Sequence, residues 1–148
     1  MKKLLIILIM ASALQVTHAQ AEPSASAYSS IETLLRKNYI GGSSRNQTEV
    51  MQSAFADNAT FYLTIKDEYQ KLSLNGYLSY FKNEPGKFNG RYGKVLSIEV
   101  VQDIANAKVE ISIPDRKIAY IDMFLLKKTS EGWKVISKTA TKIDRELK

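Results

Sequence analysis

The chain has 148 residues, 45% of them hydrophobic, with eight Tyr, five Phe and one Trp. That excludes a disordered polypeptide and leaves room for one domain with a real core. There is no Cys, so disulfides, thiolate nucleophiles and Cys-based metal sites are excluded. The formal net charge of +6 is scattered, densest at Lys127, Lys128, Lys142, Arg145 and Lys148, and no recognition motif accompanies it, so no nucleic-acid partner is expected.

Met1, Lys2 and Lys3 form a short positive start, Leu4 to Val16 is uncharged and apolar, and Ala19-Gln20-Ala21 fits a small-x-small cleavage site. This predicts a signal peptide over residues 1–21, cut after Ala19 or Ala21. The apolar run is shorter than the roughly 20 residues a spanning helix needs, so no membrane anchoring is expected after cleavage. The expected destination is the periplasm of a Gram-negative bacterium or the medium. Cleavage removes His18, the only His. The mature chain would then have neither His nor Cys, which excludes Ser-His-Asp and Cys-His catalysis and His-ligated zinc. Neither a metal nor a cofactor is expected. Residues 22–28, rich in Ser and Ala, read as a flexible leader, 29–144 as one domain and 145–148 as a tail.

Ser29 and Glu32 have the spacing of a capping box, and Ile31, Leu34, Leu35 and Tyr39 follow on one helical face. Gly41 and Gly42 should end that helix. Asn46 and Glu49 repeat the start signal, with Val50, Met51, Ala54 and Phe55 as the stripe of a second helix ending near Asp57 and Asn58. Residues 60–66 alternate as a strand, Asp67 and Glu68 turn the chain, and a short strand covers 69–72. Asn75 can cap a third helix bearing Tyr77, Leu78 and Phe81, closed by Pro85 and Gly86. Four strands follow. In the first, Leu96, Ile98 and Val100 mark the apolar phase; in the second, Ala107, Val109, Ile111 and Ile113 do. The third, 118–128, is apolar on both phases and should be buried on both faces. The last runs from Trp133 to Lys142. Helices first and hairpin-linked strands after predict an α+β domain with helices on one face of an antiparallel sheet.

The run from Leu34 to Gly42, then Val50, Phe55 and Ala56 to Thr60, resembles the opening of the nuclear transport factor 2-like superfamily, and most closely its branch called Putative lumazine-binding. Asp122, Phe124, Leu126 and Lys127, followed by Gly132 to Val135 and Lys138, resemble its end. The resemblance implies a cone-shaped α+β fold, three N-terminal helices packed on a strongly curved, mainly antiparallel sheet. It also implies an apolar pocket and a homodimer formed through the sheet. Where that branch has a His after the second helix, this chain has Ala56.

The superfamily includes steroid delta-isomerases, which pair an Asp base with a Tyr and a protonated Asp that hold an oxyanion. By that resemblance Tyr39 takes the place of the oxyanion Tyr and Asp122 that of the protonated Asp, while Leu63 occupies the place of the base. Tyr39 and Asp122 are therefore the candidate catalytic residues. With Tyr62, Tyr120 and Phe124 they form the expected ligand-binding set. Asp122 lies on an apolar strand phase, where desolvation favours its neutral form. It could donate to a bound carbonyl, or simply fix the core through a tyrosine. Loss of a general base removes roughly 10² to 10⁴-fold of rate, so binding is preferred to catalysis. The expectation is an exported domain that binds a small apolar or aromatic molecule. The alternatives are a carboxylate- and tyrosine-based isomerase, dehydratase or cyclase, and a dimerisation or protein-interaction module.

Overall fold

A computed structural model describes residues 22–144 apart from Lys82. Residues 1–21, expected as a signal peptide and containing His18, and residues 145–148, expected as a tail, lie outside the described residues. Helix α1 (Glu22–Thr33) begins ahead of the start expected at Ser29. Pro23 sits in its first turn, where a missing N–H costs little, and the residues expected as a leader supply its opening turns. Ala27 packs against the core.

The helix widens to π geometry over Leu34–Ile40, then returns to α geometry over Gly41–Ser44 (α2). Gly41 and Gly42 thus do not end it. Gly42 instead permits a close approach: a Cβ there would lie 2.6 Å from Met51 Cγ and 2.9 Å from the Met51 backbone nitrogen. Met51 belongs to the short helix α3 (Thr48–Gln52). The second helix therefore ends well before Asp57 and Asn58. Phe55 opens strand β1 (Phe55–Ile65) and pairs with Val135, so sheet pairing overrides the helical spacing that suggested otherwise.

Lys66 and Asp67, both with positive φ (52° and 66°), make a two-residue hairpin to β2 (Glu68–Ser73). The cap of α4 (Leu74–Leu78) is Ser73, whose hydroxyl accepts from the Gly76 N–H, and not Asn75. A 3₁₀ turn, Ser79–Phe81, extends α4. Strands β3 (Tyr92–Val101), β4 (Ile104–Ile113), β5 (Ile118–Thr129) and β6 (Gly132–Asp144) complete the chain.

The six strands form one curved, open sheet in the order β2-β1-β6-β5-β4-β3. β1 and β6 run parallel and every other pair is antiparallel. α1 and its π segment pack on β3, and α4 packs on β1. Between these helices and the sheet lies a core that includes Ile31, Leu35, Met51, Phe61, Val109, Leu126 and Val135, all fully buried. β4 alternates as expected, with Ala105, Ala107, Val109, Ile111 and Ile113 turned inward. β5 does not have two buried faces. Asp122, Phe124 and Leu126 point into the core, whereas Met123 and Leu125 are 50% and 45% exposed on the outer face. Among the described residues no layer covers Met123 and Leu125 on that outer face, so apolar composition alone did not imply burial.

Two bulges reset the strand phases. In β3 the register with β4 shifts between Val95 and Ser97, which leaves Leu96 exposed and turns Ile98 and Val100 toward the core. In β6, Leu125 pairs with Ser137 but Leu126 pairs with Val135, so Ile136 is the extra residue. Trp133 and Val135 face inward before it, and Lys138 faces inward after it.

Candidate functional site

A cavity of about 640 Å³ opens between α4, the π segment and the inner face of the sheet. Its deep wall carries Tyr39, Tyr77, Asp122 and Lys138. Each comes from a different element, and each is there for a local reason. Tyr39 lies in the π segment, in line with Ile31 and Leu35 at intervals of four. In an α-helix that spacing drifts by about 40° per step, and the wider turn reduces the drift. Tyr77 is on the buried stripe of α4. Asp122 is on the inner phase of β5, and the bulge at Ile136 turns Lys138 toward it.

Lys138 Nζ donates to Asp122 Oδ1 at 2.8 Å, and the Tyr39 hydroxyl donates to Asp122 Oδ2 at 2.5 Å. The Tyr39 and Tyr77 hydroxyls are 3.2 Å apart. Asp122 and Lys138 are 2% and 3% exposed. The ammonium also stands 5.2 Å from the centre of the Tyr77 ring, 5.9 Å from that of Phe124 and 6.0 Å from that of Tyr39. An ion pair this dry survives only because both charges are further satisfied, here by a hydroxyl on the carboxylate and by ring faces on the cation. Among the described residues no buried side-chain polar atom lacks a partner.

Burial pushes the Tyr39 hydroxyl well above its ordinary pKa of 10.0, and the Asp122 charge pushes it further. Burial also raises Tyr77, against the pull of Lys138. For Lys138, burial works against the charged form, but Tyr77 and Asp122 outweigh it and hold the group above 10.5. Lys138 is therefore an ammonium at neutral pH, unsuited to act as a free amine nucleophile. The apolar strand pattern around Asp122 shows no nearby cation; the fold supplies one in Lys138.

The structure brings together Tyr39, Asp122 and Tyr120 of the expected ligand set, all on the cavity wall. Phe124 lies behind that wall, edge-on to Tyr39 at 4.8 Å, and does not line the cavity. Tyr62 is on the opposite face of the sheet, where it pairs across to Thr139 and stacks on Tyr69, so it is not a pocket residue. Leu63 does line the cavity, at the place where the resemblance puts a base. Lys138 and Tyr77 were not legible as site residues. The signal for Tyr77 was its shared stripe with Phe81. Lys138 had none, because the phase of Trp133 and Val135 predicts it outside.

The model of the family described as Putative lumazine-binding matches residues 26–140. The chain belongs to this family. None of the curated proteins matches it. Among solved structures it is similar to an NTF-2 like protein of unknown function from Silicibacter pomeroyi, with a TM-score of 0.72 at 15% identity, covering 81% of this chain and 98% of that one. It is also similar to an NTF2-like protein of unknown function from Shewanella baltica, with a TM-score of 0.70 at 21% identity, covering 80% and 95%. A domain of unknown function with a cystatin-like fold from Nostoc punctiforme gives a TM-score of 0.61 at 19% identity, covering 83% and 79%. At these identities the likeness carries the fold alone. The expected α+β nuclear transport factor 2-like fold, with helices packed on a curved sheet, is thus observed.

Proposed function

We propose that the chain is exported and that its folded domain binds a small apolar or aromatic molecule in the cavity without transforming it. The observation that carries this reading is the cavity itself. Its volume of about 640 Å³ falls within the roughly 300–1,000 Å³ usual for small-molecule sites. Its floor pairs an aromatic wall with polar groups already committed to one another. The absence of turnover is supported by two residues: Leu63 stands where a base would have to be, and Asp122 is held in an ion pair with Lys138. Export is supported by the three-part pattern of residues 1–21. The family name makes lumazine the first ligand to try. Native mass spectrometry of protein purified from its own compartment, and thermal shift against pteridines and flavins, test the reading. Retention of a small molecule, or a melting temperature that rises with ligand concentration, is the expected outcome. Turnover of a bound compound that is lost in Asp122→Asn would replace it with the enzymatic alternative.

A second reading, a homodimer formed through the sheet, is favoured by the outer face. Met123 and Leu125 lie there beside Tyr62 and the 72%-exposed Tyr69. Exposed apolar side chains on a sheet face, here set among polar neighbours, are the kind of surface that a second copy covers.

A further inference from the structure

The cavity floor is electrically balanced: the single charge of Lys138 meets the single charge of Asp122. The cavity as a whole is not. Its lining has four basic side chains, Lys66, Arg91, Lys138 and Lys142, against two acidic ones, Asp67 and Asp122. Arg91 matters most here. It precedes β3, is half-buried, and lies with its guanidinium 5.1 Å from the centre of the Phe81 ring. Among the described residues no carboxylate forms an ion pair with it, although Lys87, Lys127, Lys134 and Lys138 all have acidic partners. A planar guanidinium matches a carboxylate in bidentate fashion.

The wall between Arg91 and the floor is continuous and apolar. The Phe81 ring meets Tyr77 at 5.4 Å, and the Tyr77 hydroxyl reaches that of Tyr39. A ligand spanning this wall would be flat or apolar along its body, with its charge at the Arg91 end. At the other end the spare capacity is donor capacity. Lys138 has three N–H bonds and directs one at Asp122 and one at the Tyr77 hydroxyl, which leaves one, while the hydroxyl of Tyr39 is committed to the Asp122 carboxylate. A carbonyl or hydroxyl oxygen suits that end.

We propose that the ligand is a small organic carboxylate with an aromatic or apolar body, its acid held by Arg91 and its far end, an acceptor oxygen, directed at the Tyr77–Lys138 floor. This rests on the binding reading above and narrows it to a chemical class. The experiment is calorimetric titration of the full exported domain with benzoate, phenylacetate and 4-hydroxybenzoate, each beside its neutral amide. Wild type, Arg91→Gln and Arg91→Lys are compared, with melting curves to establish that each is folded. The expected result is an acid that binds about tenfold or more tightly than its amide, as a charge-assisted bidentate contact requires. Arg91→Gln should remove that preference, so that acid and amide bind alike, and Arg91→Lys should keep part of it. Equal affinity for acid and amide in the wild type overturns the proposal and leaves the binding reading standing. So does an acid preference that persists in Arg91→Gln. Failure of every acid and every amide to bind overturns the proposal, and failure of the pteridines and flavins as well overturns the binding reading.

Discussion

Asp122 accepts one bond on each carboxylate oxygen, from Lys138 and from Tyr39, in surroundings almost without water. Removing one partner strands the other. Lys138→Met keeps the length of the side chain but leaves a buried carboxylate without its counter-charge, and should destabilise the fold by about 3–5 kcal/mol in urea denaturation. The double variant Lys138→Met/Asp122→Leu should recover most of that loss, because no charge is then stranded. A double variant as unstable as the single would show that packing around Lys138, and not its charge, is what matters. The same cluster sets an alkaline limit. Tyr39, Tyr77 and Lys138 all have native pKa values above their ordinary ones. The native state therefore holds protons that the unfolded state releases, and stability falls as pH rises. The contribution is fully present below pH 10.0, the ordinary tyrosine value, and is lost as pH climbs through the raised native values. Melting temperatures above pH 10 should drop steeply in the wild type and less steeply in Tyr39→Phe. Tyr39 and Asp122 were legible from the sequence through the resemblance to the steroid delta-isomerases, and Asp122 also as an acid on an apolar strand phase. Lys138 was not, since a lysine on the polar phase of a strand is no anomaly until the strand is bulged.

At the level of elements, local signals located the helices and strands but misplaced their ends. Gly41 and Gly42 look like a stop, yet the helix continues through them because their bareness is used against neighbouring backbone. Gly93 is used in the same way. A Cβ there would come within 2.4 Å and 2.6 Å of the γ carbons of Ile40, where the π segment lies on β3. Those carbons are the branched base of a stiff side chain and cannot swing clear. Gly93→Ala should therefore destabilise by about 1–3 kcal/mol through overpacking. The addition of Ile40→Ala should cost less in that background than alone, a coupling that a double-mutant cycle measures. Additive effects would mean that the helix shifts freely on the sheet.

At the level of the whole molecule, the sheet has one face under the helices and one that no layer covers among the described residues. Met123 sits between Lys108 and Thr139 there, and Leu125 between Asn106 and Ser137. If a second copy covers the strip, Leu125→Lys places a charge in the interface, and light scattering should show a dimer in the wild type and a monomer in the variant at equal concentration. A wild type that is monomeric at every concentration removes the dimer reading. The cavity is on the other face, so Leu125→Lys should leave ligand affinity unchanged.

The sequence by itself determined the α+β class, the six strands, the inward phase of β4 and the apolar setting of Asp122, because alternation, turn residues and helical stripes are properties of neighbours along the chain. It also determined that cysteine chemistry is unavailable, because the chain has no Cys. Tertiary structure decided the rest. It left one face of β5 open, sent Tyr62 to the outside, and through one extra residue at Ile136 turned Lys138 onto Asp122. Those outcomes depend on what lies across the sheet and on the count of residues between pairs, and neither is written in the local pattern.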